Sequence, residues 1–244
     1  MKDDTRALLN EVSTASLCTA LFKRGLRNQF VQNVAPVAPG GPALAGGNMV
    51  GPAYTLRYIP AREDRNPITV FRDPEHLQRV AVERCPPGHV WVMDSRKDAR
   101  AASAGSILVT RLMVRGCAGV VTDGGLRDAP GIGELAIPAY HQRPSAPTNL
   151  TLHEAVALDE PIACGDVAVF PGDVMVGDRE GVVCVPAHLA DELAQECAEM
   201  ERFETFVTQE VLRGRAIIGL YPPTSEEAQR DYEASKKTGA DGLT

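Results

Sequence analysis

Between His89 and Asp123 the chain reads strand, helix, strand, and this order constrains the fold more than any other stretch. His89 to Met93 (HVWVM) is a short apolar run closed by Asp94, the length of a buried strand. Ser106 to Arg115 places Ile107, Leu108, Leu112 and Met113 at helical spacing and stops at Gly116. Ala118 to Thr122 (AGVVT) is a second apolar run, closed by Asp123. Two strands joined by a helix over so short a span must lie parallel, with the helix packed on the sheet. Ile137 to Tyr140 is a candidate third strand of the same unit.

The flanking segments follow different grammars. Asp3 to Gly25 reads as helical, with Ser13 as an internal N-cap, apolar Ala15, Leu17, Ala20 and Leu21, and a stop at Lys23-Arg24-Gly25. Residues 34 to 51 (VAPVAPGGPALAGGNMVG) form a Pro- and Gly-rich loop within one domain, because Ala53, Leu56, Tyr58 and Ile59 continue at once as a strand. Arg62 to Asn66 is a polar turn, and Asp73 to Arg84 has the makings of a short helix. Beyond Ile162 the pattern becomes hairpins: Ile162–Cys164, Val167–Phe170, Val174–Val176 and Val182–Val185, with turns at Pro171-Gly172-Asp173 and Asp178-Arg179-Glu180-Gly181. Ala187 to Arg213 is a long helix with Leu189, Leu193, Cys197, Met200, Phe203 and Val207 on one stripe. Residues 1–221 therefore read as one α/β domain, and 222–244 as a polar, loose tail.

Composition removes several classes of function. Asp and Glu outnumber Lys and Arg by 32 to 25, giving a net charge of −7, which argues against general nucleic-acid binding. No apolar run reaches the length of a membrane span, and the charged start, Met1 to Asn10, lacks a signal-peptide core, so a cytoplasmic location is expected. Cys18, Cys85, Cys117, Cys164, Cys184 and Cys197 are widely spaced without a CxxC pair and read as reduced core residues. The histidines His76, His89, His141, His153 and His188 show no zinc spacing, and GIGEL at Gly131 to Leu135 lacks the rest of a dinucleotide fingerprint.

Chemistry is expected beyond the carboxyl ends of the parallel strands, where two loops leave together. The first, Asp94 to Gly105, delivers a helix start whose amides and dipole suit a small carboxylate or phosphate, and Gly105 permits close approach. The second, Asp123-Gly124-Gly125-Leu126-Arg127-Asp128, carries a guanidinium fork for a carboxylate and a hard oxygen ligand for a divalent cation. Glu192, Glu196 and Glu199 line one side of the last helix and read as a solvated face, with one available to a neighbouring subunit. Lys97, in the first loop, reads as a surface residue.

At Gly105 to Asp128 (GSILVTRLMVRGCAGVVTDGGLRD) the sequence resembles the family of the regulator of RNase E activity A, which includes the 4-hydroxy-4-methyl-2-oxoglutarate and 4-carboxy-4-hydroxy-2-oxoadipate aldolases. GPAYTLR at Gly51 to Arg57, the PGD turn at Pro171 to Asp173, and GDREGVVCVP at Gly177 to Pro186 fit the same family, and the likeness spans roughly residues 10 to 215. The resemblance implies a swivelling β/β/α domain with a βαβ core, mixed sheets and a long C-terminal helix, assembled as a homotrimer or homohexamer with its site between subunits. It implies that Gly105, Ser106, Ile107 and Leu108 bind the pyruvyl carboxylate, that Arg127 contacts the pyruvyl unit, and that Asp128 anchors Mg2+ or Mn2+. One departure stands out: the family's acidic residue after the helix-start glycine is Ser106 here. The aldolases also use a glutamate from the neighbouring C-terminal region, for which Glu199 and its neighbours are candidates.

The function expected from this resemblance is a divalent-metal-dependent lyase on 2-oxo acids, an aldolase or oxaloacetate decarboxylase acting through a pyruvate enolate. A 2-keto-3-deoxy sugar-acid dehydratase or hydrolase is the second enzymatic reading. A non-enzymatic protein-binding regulator of RNA degradation is the third. The far end of a substrate falls to loops such as Gln142 to Thr148 or to an adjacent subunit, and neither nucleic acid nor membrane is an expected partner.

Overall fold

The computed structural model describes residues 1–238. Two helices open the chain, α1 (Asp3–Glu11) and α2 (Thr14–Lys23), with Ser13 between them. The Ser13 hydroxyl accepts the Ser16 amide at 3.0 Å, so the expected N-cap caps the second of two helices. There follow β1 (Ala35–Pro36), β2 (Met49–Pro60), α3 (Leu77–Arg84), β3 (Val90–Asp94), β4 (Ala102–Ala104), α4 (Ser106–Val114) and β5 (Gly119–Thr122). Next come β6 (Gly125–Leu126), α5 (Ala129–Gly133), β7 (Ala139–His141), β8 (Arg143–Pro144), β9 (His153–Leu158), β10 (Ile162–Cys164) and β11 (Val167–Val169). The last elements are β12 (Val174–Gly177), β13 (Val182–Val185), α6 (Ala190–Leu212) and α7 (Glu226–Thr238).

The predicted crossover is present: β3, α4 and β5 form it, with β3 parallel to β5 in the register Val90↔Gly119 through Met93↔Thr122. β2 and β7 extend the parallel set on either side, and β1 closes one edge antiparallel to β7. The long strand β2 is the hub. Its first residues pair antiparallel with β12 and its last with β9, so a mixed sheet bends around it. A small sheet, β4-β6-β8, stands at the carboxyl end of the crossover.

The strands of the crossover are buried on both faces, which is why they read as unbroken apolar runs. Trp91 and Met93 of β3 point into a cluster with Leu56, Tyr58, Leu108 and Leu112, beneath α3 and α4. Val90 and Val92 of the same strand point the other way, into a cluster with Tyr140, Val167, Val182 and Cys184 from the hairpins. A third cluster packs Leu9, Leu17, Leu21, Leu193 and Cys197 of α1, α2 and α6 over Val174, Val176, Val183 and Val185. All six cysteines are free, and five are buried, as expected of core residues. No helix among the described residues is long and apolar enough to cross a membrane.

The loose tail expected from residue 222 onward is corrected for Glu226–Thr238, which is helical; residues 239–244 lie outside the described residues. This helix offers only two buried apolar anchors, Ala228 and Tyr232, too short a stripe to stand out in a polar sequence. The anchors suffice because they meet aromatics: Tyr232 lies 5.0 Å from the Phe203 ring and 5.4 Å from the Phe206 ring. Ser225 supplies a cap, its hydroxyl accepting the Ala228 amide at 3.1 Å, and Arg215 reaches Asp231 at 2.7 Å. Truncating Tyr232→Ala is expected to remove about 2 kcal/mol of packing from this helix alone. Amide exchange across 226–236 then accelerates by roughly 30-fold while that of β3 and β5 is unchanged; equal acceleration throughout would show that α7 unfolds only with the sheet.

Candidate active site

The site is assembled by a short strand pairing. β4 and β6 run parallel, pairing Ala102↔Gly125 and Ala104↔Leu126 with a break in register between the two pairs, and the Arg127 amide donates to the Ala104 carbonyl at 3.0 Å. One residue past each strand, Gly105 and Arg127 are therefore neighbours. The glycines of the second loop are required by packing. A Cβ on Gly124 would fall 2.6 Å from Ser95 Cβ, and one on Gly125 2.5 Å from Ser145 Cβ. Asp128 follows with φ of 59°, a left-handed conformation that Asp tolerates better than most residues, and this turns its carboxylate back toward the start of α4.

Gly105 is the empty position on which the arrangement depends. A Cβ there would lie 2.7 Å from Arg127 Cγ and 3.0 Å from Asp128 Oδ2. With no side chain at Gly105 to cap α4, the cap comes through space: Asp128 Oδ2 accepts both the amide and the hydroxyl of Ser106, each at 3.2 Å. The first turn consequently offers fewer free amides than a bare helix start. The Ser106 amide is spent on Asp128, and the Leu108 amide closes on the Gly105 carbonyl at 3.1 Å.

Gly105, Ile107, Leu108, Arg127 and Asp128 line one cavity of about 370 Å³. Ser106 lies at its edge, holding Asp128. Arg127 and Asp128 are each 46% exposed, and Arg127 Nε stands 3.6 Å from Asp128 Oδ2, so both side chains face solvent-filled space. Leu108 is buried beneath the cavity, whereas Ile107 is 82% exposed on its rim.

The rest of the lining includes residues that the sequence did not single out, Ile68, Phe71, Gln78, Arg79 and Asn149, with Thr148 from the loop that it did. Buried Gln78 donates to the Ser103 carbonyl at 2.7 Å and to the Tyr58 hydroxyl at 3.1 Å, pinning α3 against the small sheet. A short mixed helix gives no periodic signal for such a lining; the topology brings it to the same cavity as Arg127.

Behind the cavity, Asp123 ties the loops together. Its carboxylate accepts the amides of Ser95 at 2.6 Å, Lys97 at 3.1 Å and Gly165 at 3.2 Å. Burial, aided by the nearby Asp94, pushes its pKa up to about 6 despite those donors. Lys97 itself is a surface residue paired with Asp166 at 2.7 Å.

Glu192, Glu196 and Glu199 lie on a face that keeps contact with solvent, and each is ion-paired there. Glu192 and Glu196 both engage Arg24 of α2, and Glu199 holds Lys236 at 2.6 Å and the Tyr232 hydroxyl at 2.9 Å. None of the three lines the cavity. Their unpaired appearance in the sequence reflects partners that are distant along the chain.

Among the described residues no group of three or more His, Cys, Asp or Glu converges to cage a metal ion. Asp128 is the single carboxylate in the cavity lining. One carboxylate, with remaining positions left to solvent and to a chelating ligand, is a donor set that suits Mg2+ or Mn2+. The residues present thus fit such an ion held jointly with a bound acid.

A crossover sheet that delivers a helix start, an arginine and an aspartate into one cleft defines an α/β protein with a candidate site at the carboxyl end of its parallel strands. The chain belongs to the RraA-like family: the model described as Aldolase/RraA matches residues 14–184. A relative from Halalkalibacterium halodurans, named "Putative 4-hydroxy-4-methyl-2-oxoglutarate aldolase", is 29% identical over 145 residues, covering 57% of this chain and 67% of the relative. The matches span about two thirds or less of the curated relatives' own lengths. Among solved structures, Streptomyces coelicolor RraAS2, described as an unusual member of the RNase ES inhibitor RraA protein family, is 29% identical with a TM-score of 0.72, covering 84% of this chain and 96% of that one. An uncharacterized protein from Pseudomonas syringae pv. tomato shares the fold at 22% identity and a TM-score of 0.74, covering 89% of this chain and 96% of that one.

Two outcomes test this geometry. Gly105 has extended dihedrals that any residue adopts, so Gly105→Ala is expected to cost little stability, a fall in Tm of no more than about 4 °C. Its crystal structure is expected to show the Arg127 side chain driven from its position; an unmoved Arg127 would contradict the close-approach account. Asp123 is expected to titrate near pH 6 by side-chain carbon NMR. Because the folded value lies above the unfolded one, its contribution to stability falls as pH rises from about 4 to about 6 and is constant above that window. A midpoint below 4 would mean that the amide donors outweigh burial.

Proposed function

We propose that the chain is a divalent-metal-dependent lyase acting on 2-oxo acids, of the 4-hydroxy-2-oxo acid aldolase or oxaloacetate decarboxylase type. The observation that carries this reading is the convergence of Gly105, Arg127 and Asp128 on one cavity, with Gly105 leaving the space that the other two occupy. Membership of the RraA-like family and the name of the Halalkalibacterium relative support it.

In this mechanism Arg127 grips the substrate's carboxylate and keto oxygens with its planar donors and fixes the reacting carbonyl. When the C3–C4 bond of a 4-hydroxy-2-oxo acid breaks, the C4 hydroxyl gives its proton to solvent and C4 leaves as a carbonyl; loss of CO₂ from oxaloacetate breaks the corresponding bond; either way the electron pair stays on pyruvate as its enolate, which takes a proton from solvent at C3. Asp128 would hold a divalent ion, which would supply Lewis-acid stabilisation of developing enolate charge. Arg127 adds a fixed positive charge beside the same oxygen, already oriented before the reaction. Ser106 steadies the Asp128 carboxylate through its amide and hydroxyl. A hydroxyl in place of the family's acidic residue leaves the site with one negative charge fewer, and a weaker hold on the ion follows.

The test is pyruvate release, coupled to NADH oxidation, from oxaloacetate and a panel of 4-hydroxy-2-oxo acids, with Mg2+, with EDTA and with Arg127→Ala. Turnover that disappears in EDTA, returns with Mg2+ or Mn2+, and falls by about 10²-fold or more in the variant is expected. Absence of pyruvate from every substrate would overturn the lyase reading and favour sugar-acid dehydration or protein-binding regulation.

A further inference from the structure

Two cysteines that are distant along the chain meet at a place the lyase chemistry leaves unused. Cys85 ends α3, and Cys117 follows the end of α4, thirty-two residues later. Each is fixed by its own helix stop. The Cys85 amide donates to the Ala81 carbonyl, and Pro86 and Pro87 then forbid the helix to continue. α4 closes at a left-handed Gly116, φ 78°, whose amide donates to the Met113 carbonyl while the Cys117 amide donates to that of Leu112. Two backbone bonds stitch the segments together: the Gly88 amide donates to the Gly116 carbonyl at 2.7 Å, and the Ala118 amide to the His89 carbonyl at 2.8 Å.

The two thiols consequently converge on one carbonyl. Cys117 Sγ lies 3.8 Å from the Pro86 oxygen and 3.8 Å from the Cys85 oxygen, and Cys85 Sγ lies 4.0 Å from the same Pro86 oxygen. Arg115 donates to the Cys85 carbonyl at 3.4 Å, and its buried Nε has no hydrogen-bond partner among the described residues. Contact between the thiols makes them unequal. It lowers the Cys117 pKa, against burial and with help from the Arg115 charge, and together with burial it raises that of Cys85. Cys117 also keeps 8% exposure, whereas Cys85 has none. A more acidic outer thiol thus touches a less acidic inner one. Cys164 and Cys184 turn elsewhere, to the Met93 carbonyl and to Asp173.

We infer that Cys85 and Cys117 form a redox modification site, which closes to a disulfide under a peroxide and reopens under a dithiol. The Cys117 thiolate attacks one peroxide oxygen, the O–O bond breaks, and hydroxide leaves and takes a proton to become water. Cys117 then carries a sulfenic S–OH. The Cys85 sulfur attacks the sulfenic sulfur and releases its proton, the S–O bond breaks, and a second water leaves. Two thiols have lost two electrons and two protons, and hydrogen peroxide has become two waters. The first turns of the same two helices carry Gln78, Arg79, Ile107 and Leu108 of the cavity lining. The bridge therefore ties α3 to α4 at the ends remote from the cavity.

The experiment treats the full chain with hydrogen peroxide, blocks the remaining thiols with iodoacetamide, and maps the peptides by mass spectrometry without reduction. A cross-linked peptide joining Cys85 to Cys117, lost on treatment with dithiothreitol, is expected. Closing a loop of this length is expected to raise the Tm of the oxidised protein by roughly 5–10 °C over the reduced form. Cys85→Ser is expected to leave Cys117 as a sulfenic acid that dimedone captures, and Cys117→Ser to leave Cys85 unlabelled. Wild type in which both thiols stay free, in which Cys117 passes to sulfinic acid without a cross-link, or in which either cysteine joins a different partner would overturn the inference. So would a cross-link that leaves Tm unchanged or lowers it. The wild-type map decides the matter even where a serine variant fails to fold.

Discussion

The site depends on the pairing of two very short strands. β4 and β6 pair at Ala102↔Gly125 and, past a break in register, at Ala104↔Leu126, where the Arg127 amide locks onto the Ala104 carbonyl. Shifting that pairing by one residue would move Arg127 away from Gly105 and turn successive side chains to the opposite face. Everything chemical here is within a residue or two of that pairing. The main sheet supplies the rigidity, and the small sheet at its carboxyl end converts it into position.

Asp128 serves both structure and site. It caps α4 from across the cavity because Gly105, the residue that should cap, has no side chain to do so. The missing side chain is in turn what admits Arg127. A helix start, a guanidinium and a carboxylate thus satisfy one another at the expense of one empty position. Asp123 performs the complementary task behind them, gathering amides from the ends of β3 and of the β10–β11 turn onto one buried carboxylate.

The parts legible in the sequence are those carried by local pattern. The crossover of β3, α4 and β5 was visible because strands buried on both faces are unbroken apolar runs and α4 repeats at helical spacing. Ser13 as a cap, the hairpins after Ile162 and the long α6 follow from equally local signals. Gly105, Arg127 and Asp128 could be brought to one crevice on paper because parallel strands open their loops at a shared edge. The parts that were not legible depend on distant contacts. Arg79 and Phe71 join the cavity from α3 and the turn before it, where Gln78 holds the Ser103 carbonyl, and α7 docks through Tyr232 meeting Phe203 and Phe206. The pairing of Glu192 and Glu196 left no local signal because their partner, Arg24, lies in another helix. β4 was too short for any periodicity to announce it within a polar loop.

We propose that one cavity binds the 2-oxo acid unit through Arg127 and a divalent ion through Asp128. The most direct measurement is a crystal structure with Mn2+ and oxalate, a planar mimic of the pyruvate enolate, using the manganese anomalous signal to locate the metal. The account predicts a manganese peak at the Asp128 carboxylate, with oxalate chelating it and donated to by Arg127. Manganese elsewhere in the molecule, or oxalate bound without contact to Arg127, would contradict it.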